Sequence, residues 1–97
     1  MTRWLLRSEG DSPLTLRMSA GEVKTLGRTA RADFIVDAAL VSRIHCRLTA
    51  DASNQLVVED LGSTNGTQVN GTTVTRSLLK AGDKVTVGRV EFVVEGL

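Results

Sequence analysis

The sequence has one cysteine, Cys46, in 97 residues. That excludes an internal disulfide framework and any metal site built from several thiolates. Long apolar runs are missing too: the unbroken stretches are only a few residues, against the roughly 20 that span a bilayer as a helix. The first segment, Met1-Thr2-Arg3-Trp4-Leu5-Leu6-Arg7, meets an arginine too soon to hold a signal-peptide apolar region. Neither sign of charge is in surplus, since 12 Lys and Arg against 11 Asp and Glu leave a formal net charge of +1. That balance excludes a nucleic-acid binder working by blanket attraction to phosphates, while leaving room for a local basic pocket. No stretch of about ten residues carries a helical apolar stripe, and no linker, low-complexity tract or charge run divides the chain. What remains is one soluble, intracellular, globular domain of ordinary length.

The hydrophobic share of 41% and charged share of 24% are usual for a packed protein. Nine glycines against a single proline, Pro13, with abundant valine and threonine, lean towards an all-β fold. Short alternating runs support it. Leu14, Leu16 and Met18 alternate with Thr15 and Arg17; Ile44, Cys46 and Leu48 with His45, Arg47 and Thr49; Val85 and Val87 with Lys84 and Thr86; Phe92 and Val94 with Glu91, Val93 and Glu95. Such alternation suits strands with one face on a core and one in water. Leu56-Val57-Val58 and Phe34-Ile35-Val36 are denser and read as more fully buried strands. Turn signals separate the runs at Glu9-Gly10-Asp11-Ser12-Pro13, Ser19-Ala20-Gly21-Glu22, Asp51-Ala52-Ser53-Asn54 and Lys80-Ala81-Gly82-Asp83. Residues 29–32 and 37–41 read as loops. The tripeptide Asn-Gly-Thr occurs at Asn65-Gly66-Thr67 and again at Asn70-Gly71-Thr72, which suggests two tight turns around a very short strand. The expected architecture is an antiparallel β-sandwich of about 11 short strands with its binding loops at one end.

Three polar clusters fall at strand ends. Gly27-Arg28 closes the run Val23-Lys24-Thr25-Leu26, Ser42-Arg43-Ile44-His45 opens the next long strand, and Asp60-Leu61-Gly62-Ser63-Thr64-Asn65-Gly66-Thr67 leaves the strand that begins at Leu56. Loops of a sandwich gather at its ends, so these clusters can converge on one rim. Two arginines, the hydroxyls of Ser42 and Thr64, and backbone N–H groups beside glycine all donate to an anion. The Asn65 amide donates and accepts at once, which suits a peptide backbone. A phosphate carried on an extended peptide fits this mixture best.

In order and spacing, Gly27-Arg28, Ser42-Arg43-x-His45, Ser63-Thr64-Asn65-Gly66-Thr67, Asn70-Gly71 and Gly82-Asp83-Lys84-Val85-x-x-Gly88 resemble the forkhead-associated (FHA) domain family, over residues 4–94 of the chain. The resemblance implies a single non-catalytic domain that binds phosphothreonine in a partner protein, with no cofactor and no metal. Arg28 then pairs with the phosphate, its planar fork charged at any working pH. Ser42 donates its hydroxyl to the same phosphate, Arg43 touches the phosphate or adjoining peptide, and Thr64 lines the pocket. Asn65 and Gly66 meet the ligand's main chain, while Gly27 and His45 support the site. The partner is a threonine-phosphorylated protein or peptide, neither nucleic acid nor membrane. The chain is expected to be a monomer and one module of a larger protein or adaptor. Burying the extra methyl of phosphothreonine is worth about 0.8 kcal/mol, roughly fourfold over phosphoserine. An affinity near micromolar, about −8 kcal/mol, is expected. The uncharged Ala38-Ala39-Leu40-Val41 favours an apolar ligand residue beyond the phosphothreonine.

Other constellations carry less. His45 beside Cys46 suggests a catalytic pair, but neighbours on a strand point to opposite faces. Residues 62–67 lack the Gly-Lys-Ser/Thr of a nucleotide-binding loop. Asn65 and Asn70 match the glycosylation pattern by chance, and Asp33, Asp37 and Asp60 read as loop caps and solvated charges. The alternative function is a phosphate-independent interaction scaffold using the same sandwich.

Overall fold

The computed structural model describes every residue except Asp11, so the middle of the expected turn at residues 9–13 lies outside the described residues. Eleven strands follow in chain order: β1 (Thr2–Ser8), β2 (Thr15–Ser19), β3 (Val23–Gly27), β4 (Phe34–Ile35), β5 (Cys46–Ala50), β6 (Leu56–Asp60), β7 (Thr67–Val69), β8 (Thr72–Val74), β9 (Arg76–Leu79), β10 (Lys84–Val87) and β11 (Val90–Gly96). They form two sheets, one ordered β2-β1-β11-β10-β7-β8 and the other β4-β3-β5-β6-β9. Every pairing is antiparallel except β3 with β4, which is parallel.

The core lies between the sheets, where the period of two places one side chain in each pair. Leu16 and Met18 of β2, Leu48 and Ala50 of β5, Val85 and Val87 of β10, and Phe92 and Val94 of β11 are all buried in it. Leu5 and Leu6 of β1 break the alternation, for both are buried. Leu6 joins the core, whereas Leu5 pairs across the ladder with Arg17 and Glu95, whose aliphatic stems can cover it from the outer face. No helix among the described residues is long and apolar enough to cross a membrane.

Two expectations need correction. Phe34-Ile35-Val36 is not a fully buried strand: β4 is two residues at a sheet edge, Phe34 is half-buried and Ile35 is 51% exposed. Only Val36, beyond the strand, reaches the core. Ile44 and His45 do not continue the alternation of β5, which begins at Cys46. Ile44 is half-buried, while His45 and Cys46 are both fully buried. The second Asn-Gly pair does form the tight turn between β7 and β8, with φ +51° at Asn70 and +84° at Gly71.

Register decides where the polar clusters go. Leu26 of β3 pairs with Cys46 of β5, and Cys46 pairs with Asp60 of β6. The three residues form one row across the sheet, and the segments beyond them leave it at the same edge. Residues 27–28, 42–45 and 61–66 thereby converge, though they are far apart in sequence.

Candidate functional site

Backbone bonds carry the sheet a little past its last row. His45 N–H donates to Leu26 C=O at 2.8 Å, Leu61 N–H to His45 C=O at 3.0 Å, and Arg28 N–H to Ser42 C=O at 2.9 Å. Gly27 sits where the two segments cross. A β-carbon there would collide with the Arg43 carbonyl oxygen, so only glycine lets residues 27–28 lie against residues 42–44.

Arg28 is exposed at the rim, and its Nε–H donates to the Val41 carbonyl at 3.0 Å. One of five guanidinium donors thus fixes the orientation of the group, and the remaining four form a fork for oxygen acceptors. Beside it, Ser42 Oγ accepts the Thr64 N–H at 3.1 Å. An accepted bond of this kind leaves the hydroxyl hydrogen to donate elsewhere. Arg43 and Thr64 are exposed on the same groove, which Arg28, Ser42 and Asn65 also line. Among the described residues neither Arg28 nor Arg43 is in an ion pair.

Asn65 Nδ2 donates to the Leu40 carbonyl at 3.1 Å. A carbonyl can only accept, so the contact fixes which way the amide faces and keeps Oδ1 for an incoming N–H. Leu40 itself holds φ +69°, a left-handed conformation that costs a residue with a β-carbon about 1–2 kcal/mol. Its backbone rests on the β10–β11 turn, where a β-carbon at Gly88 would come within 2.9 Å of the Leu40 carbonyl carbon.

Beneath the rim, His45 is wholly buried. Its Nδ1 accepts the Ser42 N–H at 3.0 Å, and its Nε2–H donates to the Gly66 carbonyl at 2.9 Å. Each partner can act in only one sense, so the ring is the neutral Nε2–H tautomer, tying the Ser42 loop to the Asn65 loop. Both nitrogens are spent, which excludes a His45–Cys46 dyad for a different reason from strand alternation. Burial, with the nearby Asp60 charge adding to it, pushes the Cys46 thiol up to about 12. Gly66 N–H donates to Ser63 Oγ at 2.9 Å. With its carbonyl on His45, Gly66 has both backbone groups hydrogen-bonded within the loop.

Asp60 organises the same loop more than its aspartate suggested in sequence. Its Oδ1 accepts from Ser63 Oγ at 2.6 Å and Thr67 Oγ1 at 2.8 Å, and its Oδ2 accepts the N–H groups of Gly62 and Ser63, both at 3.1 Å. Burial alone would raise its pKa; the hydrogen bonds from Ser63, Thr67 and Gly62 outweigh that and hold it below the usual carboxylate range. Asp33 is likewise a cap, bonded to the Thr25 N–H at 2.8 Å. Sequence reasoning placed Gly88, Ser63 and Thr67 in the motif but gave none of them a role. The Asp-x-x-Ser-x-x-x-Thr spacing was the available sign for the last two, whereas the contact of Gly88 with Leu40 leaves none.

Comparison with known proteins bears on this geometry. The FHA domain family matches residues 24–88. The chain belongs to that family. The FHA domain of the CT664 protein from Chlamydia trachomatis superposes with a TM-score of 0.91 at 26% identity, covering 98% of each chain. An FHA domain studied for its phosphothreonine-dependent interactions superposes at 0.89 with 30% identity, covering 98% of this chain and 97% of that one. The glycogen accumulation regulator GarA of Mycobacterium tuberculosis is 35% identical over 71 residues, 73% of this chain and 43% of GarA. The FHA domain described here therefore spans less than half the length of that relative.

Proposed function

We propose that this FHA domain docks a phosphothreonine-bearing segment of a partner protein, acting inside the cell by binding and without chemistry of its own. Residues 1–97 act as one domain, and its rim is the recognition surface. Arg28 and Ser42 hold the phosphate, Arg43 and Thr64 flank it, and Asn65 Oδ1 accepts from the ligand's main chain. His45, Gly27, Gly66 and Asp60 keep those groups in place.

The observation that carries this reading is the pre-set pair at the rim's centre. Arg28 is oriented by the Val41 carbonyl and Ser42 by the Thr64 N–H, and both still have donors to give. Groups fixed before the ligand arrives lose less freedom on binding. A phosphate of about −1.5 to −2 charge is the anion that uses a planar fork and a neighbouring hydroxyl together. The phosphothreonine-dependent relative supports the same residue type in the ligand.

One feature favours a second reading. Val23, Thr49, Val57 and Leu78 align across β3, β5, β6 and β9, with Val23 54% and Leu78 56% exposed. That row gives a phosphate-independent scaffold an apolar face to use.

A degenerate phosphothreonine peptide library, with unphosphorylated and phosphoserine controls, separates the two. Phosphate-dependent binding near micromolar is expected, lost by about a hundredfold in Arg28→Ala, since a charge-assisted pair is worth about 3 kcal/mol. Binding indifferent to both phosphate and Arg28 replaces this reading with the scaffold.

A further inference from the structure

The groove holds a third arginine that the phosphate does not need. Arg31 lines it together with Arg28 and Arg43, is exposed, and among the described residues is in no ion pair. Its position is built into the loop. Ala32 N–H donates to the Thr29 carbonyl at 3.0 Å, and the Ala32 side chain is buried, which anchors the turn. Thr29 Oγ1 accepts the Arg31 N–H and donates to the Arg43 carbonyl, both at 3.4 Å. One hydroxyl therefore joins the backbones that present Arg31 and Arg43.

Nearby carboxylates do not neutralise it. Asp33 Oδ2 accepts both the N–H and the hydroxyl of Thr25, at 2.8 and 3.2 Å, which commits it to β3. Among the described residues Asp37 is the single carboxylate lining the groove, and it precedes the apolar Ala38, Ala39 and Leu40. Two arms thus leave the Arg28–Ser42 backbone bond: residues 29–31 end in a cation, and residues 37–41 combine apolar side chains with an anion. Arg28 and Arg43 already match the charge of one phosphate, so Arg31 is left for something else.

We infer that Arg31 is a specificity-determining residue that reads a second anionic group on the ligand, a carboxylate or a second phosphate flanking the phosphothreonine. The inference rests on the phosphopeptide reading above and adds a direction to it. The ligand places its anionic flank on Arg31 and its apolar flank on Leu40, with Asp37 repelling an acidic residue from the second arm.

The test is a library with phosphothreonine fixed and three residues randomised on either side, screened against the unmodified domain, Arg31→Gln, Arg31→Lys and Arg31→Glu. Enrichment of Asp and Glu at one position is expected, kept by Arg31→Lys, erased by Arg31→Gln and turned towards Lys and Arg by Arg31→Glu. Synthetic peptides carrying Ala, Asp or phosphothreonine at that position then distinguish the sources. Asp should bind about two- to fivefold tighter than Ala at low salt. A second phosphate should reach about tenfold if phosphate is the natural group, and the advantage of either should shrink as salt rises. No acidic enrichment, or an Asp-to-Ala ratio identical in Arg31→Gln, overturns the assignment while Arg28 dependence leaves the phosphopeptide reading standing. Binding that survives both dephosphorylation and Arg28→Ala overturns the two together.

Discussion

At the scale of single residues, the loops of the rim are tied from beneath by buried side chains. His45 is the clearest case. Replacing it with phenylalanine keeps a ring in the space but leaves the Ser42 N–H and the Gly66 carbonyl without partners. Each buried unsatisfied group costs about 1–3 kcal/mol, so His45→Phe should lose about 2–4 kcal/mol in urea unfolding. Phosphopeptide affinity should fall with it, since the Ser42 and Asn65 loops are no longer tied. An unchanged unfolding midpoint would contradict the bonding described for the ring. The Ser42-Arg43-x-His45 motif made His45 legible as a support, but its burial was not legible. Alternation with Ile44 and Cys46 pointed it outward, whereas β5 starts only after it.

Among the elements, the connection from β6 to β7 is the most constrained by its own side chains. Asp60 acts there as an anionic hub, and its acidity gives a pH signature. Its folded-state pKa lies below the unfolded value, so its contribution to stability is complete above the ordinary carboxylate pKa of about 4. The contribution disappears as pH falls through the lower, folded-state value. Against Asp60→Asn, the unmodified domain should be more stable by about 2 kcal/mol at neutral pH, and the gap should close in acid. Urea melts across a pH series measure this, and a gap independent of pH would remove Asp60 from its role as a charged acceptor. The loop was legible as a turn because Asn-Gly-Thr names its own geometry. Elements β1, β8 and β9 were not legible as strands, because no apolar alternation marks them. Adjacent buried leucines blur β1, and β8 and β9 are three- and four-residue strands defined by their partners. Strand β4 was mistaken for core since its apolar run ends in the one residue, Val36, that is buried there.

Across the whole molecule, both sheets supply the rim. The β3, β5 and β6 ends carry the donors, and the β10–β11 turn of the other sheet supports Leu40 through Gly88. Ligand binding should therefore stabilise the fold as a unit. At a hundredfold excess of phosphopeptide over its Kd, linkage gives about 2.7 kcal/mol, which for a domain of this size should raise Tm by about 11–20 °C. Thermal denaturation with and without the peptide checks it, and an unshifted Tm under saturating peptide would place binding away from the folded rim. The two-sheet architecture and the convergence of the three clusters followed from alternation and turn chemistry. The contact between Leu40 and Gly88 did not, because it joins distant segments through backbone atoms alone. Cys46, fully buried with its thiol pushed up to about 12, presents almost no thiolate near neutral pH. A thiol-reactive dye should therefore pass over it, so a cysteine introduced at exposed Arg89, next to Gly88, would be the one attachment point. The domain is in effect a silent background for labelling, and a fluorophore beneath the Leu40 loop could report each binding event optically.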